Sequence, residues 1–188
     1  MHHPTAVLPH TSARPWWPWV FTFAAFPPVG FVAHAVAGPV DAPVAALVGG
    51  AVTGLGLGAA QWSLLRRRGI AARWIAATAA GLAVGLAAGA ALVSYRVDRP
   101  SLALMGAVSG LAVGAAQAVV VGDLRRGVAW SLSTAALWAL GWTVSATIGI
   151  DVEARWVVFG ASGALVASVL QTVRVDAFVP ALDGEAVA

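Results

Sequence analysis

The chain has 188 residues, of which 60% are hydrophobic and only 10% charged; its mean hydropathy is +0.83 and its formal net charge +3. A soluble domain carries roughly a quarter of its residues as charges, so this composition excludes a mainly water-facing surface and points to lipid instead. Cysteine is absent, which excludes disulfides, thiol redox chemistry and thiolate metal sites.

Apolar runs of about 20 residues, the length that crosses a hydrocarbon core, fall at 16–38, 44–65, 71–95, 101–122, 128–149 and 155–175. They predict an all-α membrane protein of six transmembrane helices over 16–176, between polar tails at 1–15 and 177–188. His2, His3, His10 and Arg14 lie in the first tail. Pro18, Pro27 and Pro28 make the first span the least regular. Its end reads "AHA" at 33–35, which resembles a signal-peptidase site, but the repeat described next ties this span to the fold.

Gln61, Gln117 and Gln171 lie 56 and 54 residues apart. Each follows a ladder of small residues spaced by four: Gly50, Gly54 and Gly58; Gly106, Gly110 and Gly114; Gly160, Ala164 and Ser168. Upstream of each ladder stands an aspartate, Asp41, Asp98 or Asp151. Earlier still, Trp19, Trp74 and Trp130 precede Gly30, Gly85 and Gly141 by eleven residues. Recurrence at a fixed period marks a repeated supersecondary unit. The units are three helical hairpins, about 16–68, 71–126 and 128–176. Eleven residues are close to three helical turns, so each Gln shares a face with its ladder. Small-residue faces let helices approach closely in lipid, and the simplest packing brings the three even helices together.

All eleven basic residues are arginine. Arg14, Arg66, Arg67, Arg68, Arg73, Arg125, Arg126 and Arg174 fall on one side of the six-span scheme, and Arg96, Arg99 and Arg155 on the other. That bias predicts cytoplasmic termini and a basic fringe for anionic headgroups.

The marked residues carry two readings each. The Gln trio serves either as interhelical hydrogen bonds or as a polar site for a ligand or partner. Asp41, Asp98 and Asp151 read as helix N-caps, two of them just before Pro43 and Pro100; the alternative is an outer acidic ring. His34 is either a hydrogen-bonded packing residue or a ligand for a metal or pigment. Trp16, Trp17, Trp19, Trp62, Trp74 and Trp130 read as an interfacial aromatic belt. Trp138, near mid-membrane, faces lipid, a partner or a ligand.

No pair of titratable groups is embedded deep in a span, and the glycine strings lie within apolar helices, not in phosphate-cradling loops. The expectation is therefore no enzyme, no resident cofactor (a group at His34 aside) and no nucleic-acid partner. It is an accessory or scaffold subunit that meets the bilayer and another membrane protein, a second copy or a lipid-like ligand through its small-residue faces. The alternative is a small-solute or lipid-like-ligand permease with the Gln cluster between repeats.

Residues 58–66, "GAAQWSLLR", read G-x-x-Q-W-x-x-L-R. This resembles the repeated hairpins of a group of bacterial multi-pass membrane proteins. The resemblance covers 47–74 best, and 103–130 with Ala118 in place of the motif's Trp. It implies a bacterial inner-membrane address and carries no chemistry. Arginine, alanine and glycine usage without lysine fits a GC-rich bacterium.

Overall fold

A computed structural model describes residues 17–148 and 150–179. The N-terminal tail with its histidines, Arg14 and Trp16, and the C-terminal tail from 180, lie outside the described residues. Those described are mostly helical, with no strand among them. A 3-10 helix, Trp17–Ala25, leads into α1 (Phe26–Ala37); α2 spans Pro43–Leu65, α3 Arg73–Leu92, α4 Arg99–Val121, α5 Leu124–Ile148 and α6 Ala161–Phe178.

Four segments are long and apolar enough to cross a membrane: Trp17–Ala37, Pro43–Arg68, Arg73–Leu92 and Arg99–Val121. The surface agrees with lipid as the solvent. Phe31, Leu55, Val84, Leu111, Val119 and Leu132 are exposed, while Thr53, Thr78, Ser109, Gln61 and Gln117 are buried. A water-soluble domain has the reverse arrangement. The fifth and sixth segments are less apolar. α5 has 25 residues but carries Ser131, Ser133, Thr134, Thr143, Ser145 and Thr147, and α6 offers only Ala161–Val175 as an apolar stretch.

The prolines shape the first segment. Pro27 and Pro28 occupy the first turn of α1, where a missing N–H costs nothing, and the preceding nine residues wind as a 3-10 helix. Gly122 closes α4 in the left-handed conformation, φ +80°, its N–H returning to the Ala118 carbonyl. Glycine takes that conformation without a Cβ clash, so α5 begins only two residues later.

The helices pack as a ring in chain order, closed where the N-terminal 3-10 helix meets α6. This corrects the expected gathering of even helices. Each glycine ladder faces the next odd helix instead. A Cβ on Gly50 would meet Leu82 and Ala83, on Gly54 Thr78 and Ala79, on Gly106 Trp138, and on Gly114 Ser131. α3 reciprocates on its other side, with Gly81, Gly85 and Gly89 against Val113, Ser109 and Met105 of α4. Small faces therefore join neighbours in sequence and are consumed inside the chain.

The sixth helix starts at Ala161 and not at 155. Trp156–Gly160 is non-helical and bends at Val157 and Val158, with Val157, Val158 and Phe159 buried. Each of these three side chains rests against a glycine of a different helix. Val158 lies on Gly30 of α1, Val157 on Gly49 of α2 and Phe159 on Gly141 of α5. The segment fills a wedge that a helix, about 10 Å across with its side chains, would not enter.

A buried glutamine and tryptophan network as candidate functional site

The end of the bundle nearest the arginine clusters holds three indoles and two directly bonded glutamines. Trp74 Nε1 donates to Gln61 Oε1 at 3.2 Å, and Trp130 Nε1 donates to Gln117 Oε1 at 2.8 Å. In both pairs the Trp follows its Gln by 13 residues, across the turn into the next helix. The pairs are joined: Gln117 Nε2 donates to Gln61 Oε1 and to Thr78 Oγ1, both at 3.0 Å. Thr78 in turn donates to the Trp74 carbonyl. Gln171 stands one step apart, donating to Thr134 Oγ1 at 3.3 Å. Thr78 and Thr134 each lie four residues, one helical turn, after a network Trp.

The indoles are not an interfacial belt. Trp19, Trp74 and Trp130 are 0%, 0% and 2% exposed, which corrects the expectation for these three. They gather around Phe178 of α6, which stacks on Trp130 at 4.4 Å and lies 6.2 Å from Trp74; Trp19 meets Trp130 edge to face at 6.3 Å. Trp17 is exposed, and Trp62 donates from its half-buried indole to the Ile70 carbonyl. An indole N–H inside an apolar bundle needs an acceptor, and an amide oxygen from the adjacent helix supplies one. The thirteen-residue Gln-to-Trp spacing was the available sequence signal.

Two arginines clamp the same end. Arg68 donates to the Val179 carbonyl and Arg73 to the Val120 carbonyl. These are C-terminal helix carbonyls, where cationic groups are favourable.

The remaining marked residues scatter. Trp138 is 4% exposed and packs edge to face on Phe26 and Phe159, so it belongs to the core and faces neither lipid nor partner. His34 lies against Trp156, ring centroids 4.5 Å apart, and its buried Nδ1 has no hydrogen-bond partner among the described residues. Among the described residues no group of three His, Asp or Glu side chains comes together to hold a metal.

The aspartates differ from one another. Asp98 caps α4, accepting from the Ser101 N–H at 3.0 Å and its hydroxyl at 2.8 Å. The Ser101 hydroxyl, then its N–H, then the Arg96 charge hold this carboxyl below the usual aspartate range. Asp41 does not cap α2; Ala42 occupies that position, with no side-chain bond. Asp151 caps the 3-10 turn Val152–Ala154, not the sixth helix, whose N-cap is Gly160. Gly160 thus lies outside the helix whose ladder it was expected to begin, whereas Ala164 and Ser168 are buried within α6.

No protein-family model, curated protein or solved structure matches this chain.

Proposed function

We propose that this is a six-span bacterial inner-membrane protein, built from three related hairpins with cytoplasmic termini, that serves as a non-catalytic accessory or scaffold subunit. The observation that carries the reading is where its polar side chains go. Gln61 and Gln117 bond to each other and to the indoles and threonine around them, so these groups fix the packing of the chain itself. The recurring Gln-to-Trp bond favours a common ancestry of the hairpins, and the packing of α5 on α4 and of α6 on α5 and the N-terminal 3-10 helix favours six spans. Because the small-residue ladders are consumed internally, the partner-facing surface is the outer one, with Phe31, Val36, Leu47 and Leu132. A partner in this reading is another membrane-spanning protein of similarly apolar exterior.

A permease is the second reading, favoured by the non-helical Trp156–Gly160 segment. Transporter sites are typically formed where transmembrane helices are interrupted.

The test is gentle extraction from the native membrane followed by native mass spectrometry. The expected result is a stoichiometric complex with another membrane protein. A lone chain whose reconstituted vesicles pass a defined solute would replace this reading with the permease. Because cysteine is absent, single cysteines at positions 67 and 126 report sidedness by impermeant labelling. Labelling of the two from opposite faces of sealed vesicles would overturn the six-span scheme.

A further inference from the structure

The opposite end of the bundle holds features that the network does not explain. Three connections meet there: α1–α2, α3–α4 and α5–α6. The Val40 N–H donates to the Arg155 carbonyl, and Arg155 Nη1 donates to the Tyr95 carbonyl at 3.1 Å. Between these loops lies a small cavity of about 10 Å³, room for one water-sized group. Its floor is apolar, formed by Leu102, Met105 and Trp142, which are at most 5% exposed. Tyr95, Arg96 and Arg155 line it as well.

Backbone strain concentrates at the same place. Among the described residues three that are not glycine have positive φ: Ser94 at 52°, Tyr95 at 57° and Arg155 at 51°. Two line the cavity and the third is the neighbour of one of them. Such conformations persist where the surroundings over-determine them, and they cluster at ligand clamps. Hydrogen-bonding capacity is also left over. Arg155 has five N–H donors, of which one meets Tyr95. Arg96 is turned outward, its Nε 3.7 Å from Asp98 Oδ2 with both side chains at least half exposed. Asp98 is already engaged by Ser101, so the Arg96 guanidinium retains donors for another acceptor.

We propose that this pocket binds a small organic anion, a carboxylate with a short apolar end. The carboxylate lies between Arg96 and Arg155, where planar guanidinium forks match its two oxygens. The apolar end, about one methyl group in size, enters over Trp142 and Met105. A free short-chain acid and the acidic headgroup region of a membrane lipid share this chemistry of an anion beside carbon. The site does not depend on the partner proposed above, because it is complete within one chain.

The test uses the full chain in phosphatidylcholine nanodiscs and ligand-observed saturation-transfer NMR with propionate. Saturable propionate binding is expected, with none for 1-propanol. Arg96→Gln and Arg155→Gln should each weaken it about tenfold, the scale of one lost charge-assisted hydrogen bond. Arg155→Gln also removes a loop contact, so the exposed Arg96→Gln decides if the former fails to fold. Displacement of propionate on adding phosphatidylglycerol would identify a lipid as the source, and undiminished binding a free acid. No saturable binding, equal binding of 1-propanol, or binding unchanged in Arg96→Gln would overturn the proposal. None of these results bears on whether a protein partner exists.

Discussion

Replacing Gly110 with leucine is expected to lower stability by about 3 kcal/mol or more, enough to prevent a folded preparation. A Cβ there would lie 2.6 Å from the Thr134 carbonyl oxygen and 3.0 Å from the Ala135 Cα. Both are backbone atoms of α5 and cannot rotate away, so α4 and α5 would have to separate along their shared face. The same change at Gly122 meets nothing within 4 Å and perturbs only a left-handed backbone, a cost of about 1–2 kcal/mol. Thermal unfolding of the two variants in one mild detergent measures the contrast. Equal losses would show that the ladder is not a contact surface.

Gln117→Leu is expected to be the most damaging change in the glutamine trio. Gln117 accepts from Trp130 and donates to Gln61 and Thr78. Leucine leaves the Trp130 N–H buried without an acceptor, a cost of about 1–3 kcal/mol. Thr78 still donates to the Trp74 carbonyl, and Gln61 still accepts from Trp74, so the rest of the network survives. Gln171→Leu removes one long hydrogen bond, to Thr134. That loss is near the roughly 0.6 kcal/mol average for interhelical bonds in membranes. Detergent melts of the three single Gln-to-Leu variants should rank Gln117 first and Gln171 last. A ranking led by Gln171 would contradict this geometry.

These two sites show what the sequence could and could not convey. The long apolar runs announced α2, α3 and α4 because length and composition alone define a span. The four-residue spacing of the glycines placed each ladder on one face, since helical pitch leaves no alternative. It carried no address for the neighbour: a small residue tolerates any close backbone, and α3 shows small residues on two faces. The indoles were misread for a related reason. A Trp near a span end satisfies an interfacial belt and a buried acceptor equally well, and only the glutamine across the turn separates the two. Just before α6, "WVVFG" is as apolar as a helix, and its non-helical course fits against Gly30, Gly49 and Gly141 of three distant helices. That information is tertiary. The pocket at the far end was invisible for the same reason: Tyr95 and Arg155 meet only because three connections converge.

The closing seam of the ring sets a timetable for biosynthesis. The first helical segment has α2 as its early neighbour, and its other flank is covered by α6, which is made only after α2, α3, α4 and α5. At about 5–20 residues per second, translation leaves that flank waiting on the order of ten seconds while the intervening helices are made. During that interval Trp19 and Phe26 lack the residues that later bury them, Phe178 among the cluster around Trp19 and Phe159 against Phe26. Until α6 arrives, the ring is therefore open along this seam, and its first and fifth helices have no common neighbour to close it.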